Sequence, residues 1–149
     1  MLKAGDYAPD FILKDQNDAV FDSKQLAGKP FVLFFYPKDH SPGCTAEVCS
    51  FRDAYAVFQD HGAEVIGVSV DSTRSHKNFA RRFRVPFRLL SDPVRKVQRL
   101  FGVANTSFGI SYNRVTFVVN AEGLIVKVFD SAFFATSHIR MSMKALQLL

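Results

Sequence analysis

Two short, mostly apolar runs in the chain predict buried β-strands. One is Phe31–Tyr36, which Pro37 ends, and the other is Glu64–Val70. Runs of this length with many aromatic and β-branched residues are typical of strands covered on both faces. Between the runs, apolar side chains recur every three or four residues, at Val48, Phe51, Tyr55 and Phe58. This spacing predicts a helix with one buried face, and the whole segment predicts a parallel β-α-β unit.

The rest of the pattern predicts a second set of elements. They are a basic helix from about Ser75, a strand over Phe87–Leu90, a short helix with Asp92 as its cap, Pro93 at its first position and Gly102 at its end, strands over Val115–Val119 and Leu124–Phe129, and a helix from about Ser137. The last two strands flank a four-residue loop ending in Gly123, which favours an antiparallel hairpin. A β-α-β unit followed by β-β-α matches an α/β, thioredoxin-like layout with a mixed central sheet flanked by helices, here with extra elements at the N-terminus and in the middle. No repeat or linker divides the sequence, so we expect one domain over residues 1–149.

Length and composition narrow the class of protein. The 149 residues are 48% hydrophobic, which is enough for one buried core. No apolar run approaches the roughly 18 residues of a membrane span, so we expect no membrane partner. The start of the chain lacks the pattern of a secretory signal. We therefore expect a cytoplasmic protein, the alternative being an organelle protein whose transit peptide has been removed.

The formal net charge of +5 is concentrated in one segment, 74–88. Such a cluster could bind nucleic acid. Phe79 and Phe83 lie four residues apart within it, which favours an ordinary helix with one buried stripe and a solvated basic face. We expect no nucleic-acid partner. The segment could instead steer an acidic protein partner towards the molecule, in which case replacing Arg81 and Arg82 by Glu would slow the reaction with that partner.

The two cysteines are the candidate chemical groups. Cys44 lies four residues before Val48, so it shares the inward face of the helix that begins near Pro42. Unpaired N–H groups and the positive end of the helix dipole favour a thiolate in the first turn. Burial opposes ionisation, so a nearby cation is needed. Arg114, directly before a predicted strand, is the candidate.

Cys49 follows Cys44 by five residues, which corresponds to a Cα separation of about 8.6 Å in a helix. A disulfide requires less than about 7 Å, so the helix must unwind before the two sulfurs can bond. The spacing disfavours a thioredoxin-type oxidoreductase, which uses C-x-x-C. The cysteines could also be merely buried thiols, or they could join His40 in a metal site.

The segment from Phe34 to Asp53, with Tyr36-Pro37-Lys38-Asp39-His40-Ser41-Pro42-Gly43-Cys44 at its centre, resembles the active-site segment of the bacterioferritin-comigratory, or Q-type, peroxiredoxins. Further agreement covers most of the chain: Ala8–Phe11, Val65–Ser69, Pro86–Asp92 and Arg114–Val119. The resemblance implies a thioredoxin-like fold and a thiol peroxidase that reduces hydrogen peroxide and organic hydroperoxides. It implies no metal and no organic cofactor. Thioredoxin or a similar dithiol, such as a glutaredoxin-like protein, would be the reductant, and the protein would be a monomer.

The resemblance also implies a role for each site residue. Cys44 would be the peroxidatic nucleophile and Cys49 the resolving thiol. Ser41 would replace the family's Thr as the hydroxyl that contacts peroxide and thiolate. Pro37 would shield the pocket, Arg114 would be the partner of the thiolate, and Glu47 would position the arginine.

Three questions stay open at the level of the sequence. The same cysteine pair would also suit a peroxide-sensing redox switch or binding module. Phe108 and Phe133 could admit a bulky hydroperoxide to the pocket. Phe133 and Phe134 could equally form a contact surface between molecules.

Overall fold

A seven-stranded mixed sheet forms the centre of the molecule. The computed structural model describes residues 1–103, 114–130 and 136–147. The strands are β1 (Ile12–Lys14), β2 (Val20–Asp22), β3 (Phe31–Phe35), β4 (Glu64–Ser69), β5 (Arg88–Ser91), β6 (Val115–Val119) and β7 (Ile125–Asp130). They lie in the order β2-β1-β5-β4-β3-β6-β7. Strands β3, β4 and β5 are parallel, whereas β6 and β7 are antiparallel to their neighbours. The predicted mixed sheet and thioredoxin-like layout are confirmed.

Helices cover both faces of this sheet. They are α1 (Pro42–Asp60), α2 (Thr73–Phe83), α3 (Lys96–Leu100) and α4 (Ser137–Ala145), and a 3-10 helix spans Ser23–Leu26. Within the described ranges, no helix is long and apolar enough to cross a membrane.

The central strand β3 supplies both hydrophobic cores, because side chains alternate across a strand. Leu33 and Phe35 join a cluster with Phe101 and Phe117 on the face of α3. On the other face, Val32, Phe34 and Tyr36 join a cluster with residues of α1, α2 and α4. The rings of Phe34 and Phe51 stack with centroids 4.5 Å apart, which fixes α1 against the sheet. The end of β3 and the start of α1 are therefore held together at the end of the sheet where the parallel strands β3, β4 and β5 terminate.

Gly67 provides the space that this packing needs. It pairs with Phe34 across β3 and β4. A Cβ atom at position 67 would lie 2.7 Å from Phe34 Cζ and 3.0 Å from Leu89 Cδ2. A glycine in the middle of a strand often marks such a close approach.

One expectation about an element needs correction, and one is made specific. The short helix begins at Lys96 rather than Pro93, and Arg95 is its N-cap with a left-handed φ of 60°. Asp92 lies before this helix but still pairs two of its first backbone N–H groups, because Asp92 Oδ2 accepts hydrogen bonds from the N–H groups of Val97 and Gln98. The extra N-terminal element, which the sequence leaves unspecified, is the antiparallel hairpin of β1 and β2.

Candidate active site

Cys44 lies in the first turn of α1, with its side chain fully buried. Ser41 is the N-cap in an extended conformation, and Pro42 is the first helical residue. Proline suits this position because its missing N–H group would have no partner there. The sulfur is therefore shielded from water at the end of the helix that carries the unpaired N–H groups and the positive end of the dipole. The predicted inward orientation of Cys44 is confirmed.

Arg114 lies beside this sulfur. Its Nη2 donates to Cys44 Sγ at 3.4 Å. Arg114 directly precedes β6, whose first residue, Val115, pairs with Phe35 at the end of β3. The antiparallel register thus brings the guanidinium to the end of β3, next to the start of α1. The structure brings together the two residues that the sequence analysis selected as thiolate and cation.

Gly43 allows the guanidinium to come this close. A Cβ atom at position 43 would lie 3.0 Å from Arg114 Nη2. The contact is tighter than ordinary van der Waals packing, so a side chain there would displace the guanidinium.

Glu47 binds the other terminal nitrogen of the guanidinium. Its Oε1 accepts from Arg114 Nη1 at 2.9 Å, and the carboxyl group is fully buried. Burial raises the pKa of Glu47 to about 8, although the charge and hydrogen bond of Arg114 act in the opposite direction. The predicted contact between Glu47 and the arginine is present.

His138 is a site residue that the sequence analysis missed. It lies near the start of α4, fully buried, with Nδ1 3.5 Å from Glu47 Oε2. The same nitrogen lies 2.7 Å from Thr116 Oγ1 of β6, and the ring packs edge-on against Phe129 of β7. Its place in the sequence, beside the apolar residue Ile139, has no spacing that indicates a link to position 47. The contact depends on how α4 crosses the sheet.

Ser41 and Pro37 lie in the loop before α1. Ser41 is partly exposed, and its hydroxyl donates to the carbonyl oxygen of Lys38 at 2.9 Å. Pro37 is half-buried directly after the fully buried Tyr36. Both lie close in the chain to Cys44. Among the described residues, the sulfur's hydrogen-bond partner is Arg114 rather than Ser41.

A buried polar cluster fixes this loop to α2. Asp39 Oδ1 accepts from the Tyr36 hydroxyl at 2.6 Å, and Oδ2 lies 2.7 Å from His76 Nδ1. Ser75 Oγ donates to the same Oδ2 at 2.8 Å, while the backbone N–H of Asp39 donates to Asp71 Oδ2 at 2.8 Å. Burial raises the pKa of Asp39, but the hydrogen bond and charge of His76 outweigh it and hold the pKa below its usual value. The loop is therefore held by groups that prefer Asp39 ionised.

The sequence suggested a possible metal site of His40, Cys44 and Cys49, but a different group of residues brings potential ligand atoms together. In the part of the chain that the structure describes, the potential ligand atoms of Asp39, Asp71 and His76 lie within 4.8 Å of one another. These atoms already take part in the hydrogen bonds that anchor the loop, so their arrangement suits a structural role. His40 instead is exposed, with its ring 5.0 Å from that of Phe79.

Cys49 lies on the same helix as Cys44 and is partly exposed. Both cysteines are free thiols. Because α1 is continuous from Pro42 to Asp60, the helical separation of about 8.6 Å applies, and the two sulfurs cannot bond in this conformation. The remaining candidates near the pocket, Phe108, Phe133 and Phe134, lie outside the described residues.

Comparisons with known proteins agree with this geometry. The sequence profile of the AhpC/TSA family matches residues 4–128. The chloroplastic peroxiredoxin Q of Triticum aestivum is 42% identical over 146 residues, covering 98% of this chain and 67% of that protein. The crystal structure of peroxidoxin BcpB from Mycobacterium tuberculosis superimposes with a TM-score of 0.91 at 34% identity, covering 100% of this chain and 99% of that chain.

A further structure is described by its alkyl peroxide reduction activity. This bacterioferritin comigratory protein of Xanthomonas campestris has a TM-score of 0.80 at 29% identity, with 91% of each chain covered. The profile match spans well over half of the sequence, and the identity to peroxiredoxin Q extends over nearly all of it. The chain belongs to the AhpC/TSA family, among the relatives named peroxiredoxin Q.

Proposed function

We propose that the protein is a thiol peroxidase that reduces hydrogen peroxide and organic hydroperoxides at Cys44. The observation that carries the proposal is the buried Cys44 sulfur at the start of α1, 3.4 Å from the Arg114 guanidinium. This surrounding favours a thiolate and supplies positive charge where the leaving oxygen becomes negative.

The reaction has two covalent steps on the protein. The Cys44 thiolate attacks the terminal peroxide oxygen, the O–O bond breaks, and the departing alkoxide or hydroxide takes up a proton. Cys44 becomes a sulfenic acid and the peroxide is reduced by two electrons. The Cys49 thiol then condenses with the sulfenic acid, releasing water and forming the Cys44–Cys49 disulfide.

The neighbouring residues support the first step in distinct ways. Arg114 stabilises the thiolate and the developing oxyanion, and Glu47 holds the guanidinium in place from its other side. Ser41 supplies a hydroxyl at the helix start, which can turn from Lys38 towards a bound peroxide. Pro37 shields the pocket next to Tyr36.

Kinetics of two cysteine variants test the cycle. With a thioredoxin couple, Cys44→Ser is expected to abolish peroxide consumption, because the nucleophile is gone. Cys49→Ala is expected to lose turnover with thioredoxin yet keep partial turnover with a small thiol, which can reduce the sulfenic acid directly. Negligible turnover in the unaltered chain would contradict the proposal and favour the redox switch.

A dithiol protein of the thioredoxin or glutaredoxin type is the proposed reductant, because the disulfide must be reopened for another turnover. We propose that the working unit is a monomer, as the resemblance to the Q-type peroxiredoxins implies. Analytical ultracentrifugation of both redox forms checks this.

The relatives, rather than the fold, supply the support for a location. The wheat relative is named chloroplastic. This supports the organelle alternative over the cytoplasmic location expected from the sequence.

A further inference from the structure

The outer face of α2 carries a group of cations that the peroxidase reaction does not use. The segment from Ser72 to Ser91 contains six Lys or Arg residues and no Asp or Glu. Since the formal net charge of the chain is +5, this segment accounts for its whole positive excess. Five of the cations are exposed along α2 and its C-cap. We call four of them the basic face, because they share one side of the helix: Arg74, Lys77, Arg81 and Arg84.

The basic face is not neutralised by neighbouring acids. None of its four residues takes part in an ion pair with any described residue. The other two cations of the segment are used differently, since Arg82 lies over the ring of Phe83 and Arg88 over that of Phe21. Four like charges on one exposed helix face repel one another, so an acidic surface that covers them is favoured.

The amino-terminal end of α2 is fixed to the loop that leads to Cys44. Ser75 and His76 both contact Asp39 Oδ2, at 2.8 and 2.7 Å. His40 packs its ring against Phe79, on the inner face of α2. The basic face therefore keeps a constant position beside this loop.

The carboxyl-terminal end of α2 is fixed to the helix that carries both cysteines. Arg52 Nη1 donates to the carbonyl oxygen of Phe83 at 2.7 Å. Arg52 and Cys49 are three residues apart on α1 and point in directions only about 60° apart around its axis. Cys49 thus lies on the side of α1 that faces α2.

We propose that the basic face of α2 is the docking surface for an acidic dithiol protein that reduces the Cys44–Cys49 disulfide. This inference rests on the proposed function and names the surface that its reductant uses. A thiolate of the partner attacks one sulfur of the disulfide to form a mixed disulfide, and the partner's second thiol then displaces it. Both cysteines return to thiols and the partner leaves oxidised. The positive charge accelerates encounter and orients the partner towards Cys49.

The test compares two charge-reversal variants of equal net charge. Lys77→Glu/Arg81→Glu reverses the centre of the basic face. Lys24→Glu/Lys29→Glu is the matched control, because both lysines are exposed near the start of β3, at the opposite end of that strand from Cys44. Peroxide turnover is measured with an acidic thioredoxin at low and at physiological ionic strength, and separately with dithiothreitol.

For K77E/R81E, kcat/KM for the acidic thioredoxin is expected to fall about tenfold or more at low salt. Turnover with dithiothreitol should be unchanged, and the control variant should match the unaltered protein with both reductants. Equal thioredoxin rates for the two variants would overturn the docking proposal. An unaltered protein inactive with dithiothreitol would instead overturn the peroxidase function.

A nucleic-acid ligand is the competing occupant of the same face. Fluorescence anisotropy with a DNA duplex of about 20 base pairs at physiological salt measures it directly. Micromolar binding that K77E/R81E abolishes, together with unchanged thioredoxin kinetics, would overturn the docking proposal in favour of nucleic acid. The expected result is no binding at this salt.

Discussion

At position 47 a carboxyl group lies fully buried between the guanidinium of Arg114 and the imidazole of His138. A thiolate at Cys44 and an ionised Glu47 would together place two negative charges beside one arginine. Burying such a surplus is costly, and keeping a proton on the carboxyl group removes it. The raised pKa of Glu47, about 8, is consistent with a carboxyl that retains its proton near neutral pH.

Replacing Glu47 by Gln should change how stability depends on pH. The folded pKa of about 8 lies above the ordinary value of 4.5, so between these values the folded state binds more protons than the unfolded state. Glu47 therefore lowers stability as pH rises through this window, by up to about 1.4 kcal/mol per pH unit. The variant lacks this group. Its free energy of unfolding, compared with that of the unaltered protein at the same pH, should therefore increase as the pH rises from 4.5 to about 8.

Urea denaturation at several pH values measures the effect. Glu122→Gln is the matched control, because that carboxyl group is exposed in the loop before β7. Parallel stability curves for Glu47→Gln and the unaltered protein would show that Glu47 ionises normally.

Sequence reasoning identified the residues whose positions follow from local structure. Cys44 is placed by a helix start after a central strand, and Arg114 by the start of β6 next to β3. His138 could not be found this way, because its contact with Glu47 depends on the packing of α4 against α1 and β6. The contact of His76 with Asp39 was missed for the same reason, since 37 residues separate them.

At the scale of elements, the sequence predicted the long, strongly patterned segments well. The bounds of β3, β4 and β6 agree to within about one residue, and α4 begins at Ser137 as expected. The start of α3 was wrong because Asp92 and Pro93 form a typical helix start, whereas the chain first turns through a left-handed Arg95. The β1–β2 hairpin has strands of three residues each, too short to give a clear alternation.

Helix α1 should change when the protein is oxidised. Forming the Cys44–Cys49 disulfide requires the first turns to unwind, so amide exchange over residues 47–51 should become much faster in the oxidised form. The later turns should remain protected, because Tyr55 and Phe58 are packed in the core. Hydrogen–deuterium exchange with mass spectrometry of both forms measures this.

Cys49→Ser is the control for the exchange experiment, since peroxide can oxidise Cys44 in it but the internal disulfide cannot form. Its exchange over the same residues should stay slow after one equivalent of peroxide. Equal protection of the reduced and oxidised forms of the unaltered protein would contradict the unwinding.

At the scale of the whole molecule, one sheet joins both cores through β3. All the described strands belong to this sheet, which supports our proposal that residues 1–149 form a single domain. The core on the α1 side of the sheet is closely packed where Phe34, Gly67 and Leu89 meet.

Gly67→Ala should destabilise the protein by roughly 1–3 kcal/mol, because the added methyl group would overlap the ring of Phe34. The urea midpoint of the variant measures the loss. In a Phe34→Leu background the ring is gone, so the same substitution should cost less. Additive losses would show that Phe34 does not limit the space at position 67.

The two hydrophobic cores lie on opposite faces of the sheet, so the thermal stability of the protein and its rate of disulfide formation can be changed separately. The part of α1 that must loosen in each cycle packs on the face of the sheet that carries Val32, Phe34 and Tyr36. Substitutions that tighten the Phe11 side of the sheet could therefore raise the melting temperature while leaving the resolving step at its original rate. An engineer seeking a heat-tolerant form of this protein would begin on the sheet face away from α1.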